Sequence, residues 1–140
     1  MGNPADHTES IRVRFSDTDA GGIAHHSSHF RWMEECRLGL LRAAGFSYGD
    51  LQKEGLHLPV TDCSCKFNQP IYSEDEITVH LWVTHAGRAR IEFRYEIRGD
   101  TNEVKAVAIS SHAFTNDSGL LTRLAVDSGL WLWLKGYLRD

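Results

Sequence analysis

The spacing of apolar residues changes once along the chain, and that change limits the fold more than any other feature. Between Ser28 and Ala44, Phe30, Met33, Arg37, Leu40, Leu41 and Ala44 recur at intervals of three and four, with Leu38 beside them. That interval predicts one helix of about four to five turns. Ser27 or Ser28 is the expected N-cap and Gly45 the stop. Beyond Leu58 the interval drops to two. Ile77, Val79, Leu81 and Val83 alternate with polar or bulky neighbours, as do Ile91, Phe93, Tyr95 and Ile97. Strands are expected over 58–67, 77–84, 91–97 and 104–115. The connections Ala86-Gly87-Arg88, Gly99–Asn102 and Asn116–Gly119 are too short for crossovers, so the sheet must be mostly antiparallel. One helix against a run of such strands is an α+β architecture. A single helix cannot cover that sheet alone, which predicts a second copy of the chain.

The flanking segments read less sharply. Residues 1–10 resemble a loose tail, leaving 11–140 as a single domain. Ile11, Val13 and Phe15 alternate with Arg12 and Arg14, a short strand pattern. Residues 47–54 suggest a helical turn closed by Gly55, 120–124 a last short strand, and 126–138 a helix carrying Trp131 and Trp133. For the tryptophans, packing is the expected role. A length of 140 residues suits one domain.

The balance of 15 basic against 19 acidic residues gives a net charge of −4. A whole-protein basic field for nucleic acid is therefore excluded, although a local basic pocket is not. Cys36, Cys63 and Cys65 form no disulfide framework. Reduced thiols packed as structural groups in a cytoplasmic protein are the simplest expectation. The polar start lacks the apolar stretch of a signal peptide, and no segment is long and apolar enough for a membrane span.

Chemistry concentrates in Ser16-Asp17-Thr18-Asp19-Ala20-Gly21-Gly22, just ahead of the helix. A carboxylate there can attack an acyl carbon or activate water. Gly21 and Gly22 allow close backbone approach, and a helix start offers unpaired N–H groups for a developing oxyanion. The plainer alternative is that Asp17 and Asp19 only cap a turn. His25, His26 and His29 include a pair four apart, but no second ligand cluster appears, so no metal is expected.

The run from Arg12 through Asp17-Thr-Asp19-Ala-Gly-Gly-Ile-Ala-His-His, followed by Phe30-Arg-Trp-Met-Glu34, resembles the hotdog-fold acyl-CoA thioesterases of the 4-hydroxybenzoyl-CoA thioesterase family. The Gly87-Arg88 to Ile97 strand falls in the family's order. The resemblance covers roughly 11–124 and implies an antiparallel sheet wrapped around one long central helix. It also implies homodimers or homotetramers and hydrolysis of an acyl-CoA thioester without metal or organic cofactor. Asp19 falls at the family's catalytic carboxylate. His26 falls at the backbone oxyanion donor; its imidazole either donates to the thioester or leaving group as well, or has no role beyond its backbone N–H.

Glu34 falls where a carboxylate faces the acyl end of the neighbouring subunit's pocket. An ordinary pair with Arg31 or Arg37 is the alternative. Gly21, Gly22, Ile23 and His25 line the substrate side of the loop, and Arg88 and Arg90 stand near the turn where the family holds the nucleotide phosphates. Asp17 is expected to be structural. Two rivals share these residues. One is an acyl-CoA dehydratase or hydratase pairing His26 with Glu34 across a dimer. The other is a non-catalytic acyl-CoA-binding module.

Overall fold

In the computed structural model, which describes residues 2–138, three long strands place their alternate residues inward. They are β3 (Glu76–Ala86), β4 (Arg90–Arg98) and β5 (Val104–Ala113). Val79 faces Ile97, Leu81 faces Tyr95 and Val83 faces Phe93 across the first pair. Tyr95 then meets the small Ala108, and Phe93 meets Ser110, across the second. The inward apolar side chains of β3 and β4 are at most 4% exposed. Each such burial contributes about 1.5–3 kcal/mol. Two edge strands, β1 (His7–Arg12) and β2 (Val60–Phe67), complete a five-stranded, wholly antiparallel sheet of order β1-β3-β4-β5-β2.

Helix α1 (His26–Ala43) lies against β1 and β3. It ends as expected, with Gly45 at φ +91°, a value open to glycine. It begins earlier than expected, because the N-cap is His25, whose Nδ1 accepts from the Ser27 backbone N–H at 3.2 Å. Helix α2 (Tyr48–Lys53) fulfils the short turn, capped by Ser47.

The N-terminal expectation is corrected. The first strand runs from residue 7 to 12, not 11 to 15, so part of the anticipated tail is sheet. Before it, Asn3 accepts from Trp82 Nε1 through its carbonyl, and Asp6 Oδ2 accepts from the Val83 backbone. The strand escaped notice because its inward residues include the polar pair His7 and Glu9, bonded to each other at 2.9 Å. That pair rests on Gly39 of α1, where a Cβ would overlap Glu9 Oε1 and stand 2.8 Å from His7 Nε2. Alanine gains about 1 kcal/mol over glycine within a helix, but overpacking costs about 1–3 kcal/mol. Gly39→Ala should therefore lower the thermal midpoint despite its better propensity.

Phe15 does not point inward. It opens a 3-10 turn, Phe15–Asp17, and is 76% exposed. Residues 120–124 form no strand, only a bridge from Leu121 to Thr115. The C-terminal helix is shorter than expected: α3 (Gly129–Leu134), then a 3-10 turn, Lys135–Tyr137. Trp133 packs between Phe46 and Tyr137, at ring distances of 5.8 and 5.3 Å. Cys36 is buried and Cys65 half-buried, but Cys63 is exposed. The reason is that α1 sits over β1 and β3, leaving the edge strand β2 uncovered on both faces for most of its length.

A line of polar side chains crosses the core. His112 Nδ1 lies 3.2 Å from the Leu58 carbonyl, which can only accept, so Nδ1 carries the proton. Nε2 then accepts from Ser110 Oγ at 2.9 Å, Ser110 accepts from Tyr95 Oη at 2.6 Å, and Tyr95 accepts from Arg37 Nη1 at 3.2 Å. Burial pushes the His112 imidazole down to about 4. At pH 7 folded and unfolded chains both hold it neutral, and its contribution is flat. Below about 6.5 the unfolded chain takes up a proton that the folded chain refuses, so stability falls towards pH 4. Between pH 6.5 and 5 the unfolding free energy of a His112→Gln variant should depend on pH more weakly than wild type, by up to about 1.4 kcal/mol per pH unit. Equal slopes would mean that this ring titrates alike in both states.

Candidate active site

Asp19 opens a tight turn built for a carboxylate. Its backbone N–H donates to the Ile23 carbonyl at 2.8 Å, and Gly22 N–H returns to the Asp19 carbonyl at 3.0 Å. Gly22 has φ +78°, which side-chain-bearing residues rarely adopt. Gly21 N–H donates to Asp19 Oδ1 at 2.8 Å, holding one carboxylate oxygen, and the other has no partner among the described residues. Asp19 is exposed, as are Gly21 and Ile23. Bridges from Thr18 to Ala24 and from Ile23 to Tyr72 fix this turn beside the approach to β3.

Asp17 has a different task. It is 3% exposed. Oδ2 accepts from the Arg14 backbone N–H at 2.8 Å, and Oδ1 forms a short ion pair with Arg31. Burial alone would raise its pKa, but the Arg14 N–H and the Arg31 guanidinium together outweigh that and hold it below the usual carboxylate range. Its carbonyl accepts from His25 N at 2.9 Å and Ser28 Oγ at 2.7 Å. Asp17 thus ties the loop to the start of α1, as expected of a structural residue.

At that helix start, the Ser27 and Ser28 N–H groups are satisfied by His25, through Nδ1 and the carbonyl. The His26 N–H is the first helical donor, which no helix satisfies internally. It has no partner among the described residues. The positive end of the helix dipole is concentrated here. The His25 ring, engaged as cap, lies 4.1 Å from the ring of His26, tilted 34° to it.

A cleft of about 260 Å³ opens beside the turn, lined by Ile23, Ala24, His26, His29, Phe67, Asn68, Gln69, Pro70 and Ile71. His29 is 4% exposed and sits edge-on to Phe67 at 4.7 Å, and burial lowers the pKa of its imidazole. Sequence reasoning noted it only as half of a metal pair. Among the described residues no group of three or more His, Cys, Asp or Glu is placed to hold a metal. The signal that could have found His29 was its position three residues after His26, on the same face of the helix.

The remaining candidates are not gathered here. Glu34 lies eight residues beyond His26, about 12 Å along the helix axis. It lines a separate cavity with Arg37. It is exposed and pairs with neither expected partner: Arg31 is bonded to Asp17 and Arg37 to Tyr95. Arg88 and Arg90 flank the turn at the far end of β3, about 33 Å along that strand from the Asp19 loop. Arg88 Nε donates to the Leu124 carbonyl at 2.7 Å, which ties the side chain to the C-terminal segment. Arg90 is exposed and lies 3.7 Å from Glu92.

Three known proteins set this geometry in context. A Bacillus subtilis protein with the provisional name acyl-CoA thioesterase YneP is 32% identical over 104 residues, spanning 74% of this chain and 75% of its own. A 1,4-dihydroxy-2-naphthoyl-CoA hydrolase of Prochlorococcus marinus is 30% identical over 132 residues, 88% of this chain and 85% of the relative. The crystal structure of DHNA-CoA thioesterase from Staphylococcus aureus superposes with a TM-score of 0.83 at 26% identity, covering 93% of this chain and 87% of that one. The model of the thioesterase-like superfamily matches residues 13–126, from the start of the Asp17–Asp19 loop past the last strand. With that span matched, the chain belongs to the thioesterase-like superfamily.

Proposed function

We propose that this protein hydrolyses acyl-CoA thioesters to the free acid and CoA, with Asp19 as the reacting carboxylate. The observation that carries this reading is one continuous piece of backbone. Seven residues after the half-engaged Asp19 carboxylate, α1 begins with the His26 N–H, unpartnered among the described residues. A thioester carbonyl set between them meets a nucleophile or base on one side and an oxyanion donor on the other. The likeness of this loop to 4-hydroxybenzoyl-CoA thioesterases supports the same assignment. Gly21, Gly22, Ile23 and His25 shape the backbone around the thioester, and no metal or organic cofactor takes part.

The working unit is a hotdog dimer, or a tetramer of two, in the cytoplasm. Its sheet joins across subunits around the central helices, and the acyl group enters between them. Glu34 then faces the acyl end of the partner's pocket. The open edge of β2 and the unpaired Glu34 carboxylate support that arrangement. Arg88 and Arg90 mark the CoA phosphates. Arg90 is the more available of the two.

The test is thiol release from a panel of aromatic and aliphatic acyl-CoAs. Turnover of at least one is expected. A folded protein that turns over none would refute the reading. Single turnover in ¹⁸O-water then separates the two routes. Label in the Asp19 carboxylate means attack on the carbonyl, whereas label in the released acid alone means that water added to the acyl carbon, either directly or by opening an Asp19–acyl anhydride on that side.

A further inference from the structure

The cleft beside the Asp19 turn holds a hydrogen-bond acceptor that hydrolysis by Asp19 does not use. His29 Nδ1 lies 3.4 Å from the His25 carbonyl, which can only accept, so Nδ1 carries the proton of the neutral ring. Burial lowers the pKa of the imidazole and favours that neutral form. Nε2 is then left with its lone pair, and it has no partner among the described residues. The side chain is 4% exposed, yet it lines the cleft. Its ring is wedged in place. Phe67 stands edge-on to it at 4.7 Å, and Trp32 lies tilted at 5.1 Å.

We infer that His29 selects acyl groups with a hydroxyl on the third carbon, whose O–H donates to Nε2 while the thioester carbonyl rests on the His26 N–H. The inference rests on the proposed hydrolysis and names a substrate class for it. His26 and His29 are three residues apart on α1, about 4.5 Å along its axis. A hydroxyl on the second carbon stays beside the carbonyl, and one far down the chain lies beyond the ring. A hydroxyl on the third carbon spans the step between the two histidines. Ala24, Phe67 and Ile71 give the rest of the wall an apolar surface for the chain. At about 260 Å³ the cleft is smaller than the roughly 300–1,000 Å³ usual for ligand sites, which suits a short acyl group. The selectivity comes from the acceptor left unmatched. An unsubstituted chain takes water away from Nε2 and offers nothing in return, whereas a hydroxyl replaces the bond it displaces. Sites built around a substrate hydroxyl reject the analogue lacking it more strongly than apolar pockets distinguish one methylene.

The test compares butyryl-CoA with both enantiomers of 3-hydroxybutyryl-CoA. Wild type should favour the better hydroxy ester in kcat/KM by about tenfold or more. His29→Phe should bring the esters to parity, and His29→Gln, whose side-chain carbonyl can accept, should restore part of the preference. Equal kcat/KM in wild type, a result needing no variant, would overturn the inference. A second readout does not need turnover. In ¹⁵N-histidine-labelled Asp19→Asn protein, which should hold the esters intact, the His29 Nε2 resonance should shift with the hydroxy ester and not with butyryl-CoA. If wild type hydrolyses neither ester, that resonance decides the role of His29 separately from the hydrolysis. The same shift with both esters would assign the acceptor to an amide N–H of the CoA arm, and no shift with either would leave it outside the site. Both results refute the hydroxyl.

Discussion

Asp19→Asn is expected to leave the fold intact and to cut thiol release by about 10²–10⁴-fold, the range of a lost acid–base or nucleophilic group. The substitution is clean for a structural reason. Gly21 N–H donates to a side-chain oxygen of Asp19, and asparagine keeps that oxygen. The turn, with Gly22 at its positive φ, should therefore persist, and the thermal midpoint should move by no more than about 1–2 °C. Steady-state turnover and a melting curve on the same sample check both halves. A variant that melts like wild type and turns over like wild type would remove Asp19 from the chemistry.

Asp17→Asn, two residues away, should do the reverse and cost stability first. The buried carboxylate serves the Arg14 N–H with one oxygen and Arg31 with the other. Asparagine has one oxygen to offer and turns an NH₂ toward a donor. Hydrogen bonds to a buried charge are worth about 1.5–3 kcal/mol each. Arg31 is 59% exposed and can return to water, so the loss stays near about 2–4 kcal/mol rather than the full cost of stranding a buried ion. That corresponds to a fall in melting temperature of roughly 10 °C for a domain of this size.

The pH dependence has a definite sign. The folded Asp17 pKa lies below its ordinary value of 3.8, so its stabilising effect is present above that value. It is lost as pH falls through the lower, folded value. Wild type should therefore lose stability more steeply than the variant below about pH 4. A melting temperature unchanged by Asp17→Asn would mean that the loop is not anchored through this carboxylate.

Much of this was readable in the sequence wherever apolar spacing carried the information. α1, β3, β4 and β5 follow from residues that the core demands, and their limits moved by a few residues at most. β1 was misplaced because two of its three inward residues are His7 and Glu9, a polar pair bonded to each other rather than an apolar period. The role given to the Asp17–Asp19 loop rests on its resemblance to a known family, because carboxylates beside glycines read equally as a capped turn. The division between the two aspartates depends on burial, and burial depends on Arg31, fourteen residues on. The Arg37–Tyr95–Ser110–His112 line was not legible at all. Its members come from three elements, and a serine or histidine on an alternating strand reads as a break in the pattern until its partner is seen.

The edge strand β2 can also serve as a clock. Its partner β5 satisfies one side of its backbone, and most of its side chains, from Val60 to Ser64, lie open. In an isolated chain such a strand should open to solvent more readily than β4, which is enclosed between β3 and β5. Amide hydrogens of β2 would then exchange far sooner than those of Phe93 or Tyr95. If a second subunit adds its own strand there, the same amides slow with rising protein concentration while those of β4 barely change. The exchange rate of one short segment would thus report assembly directly, without reference to size or activity.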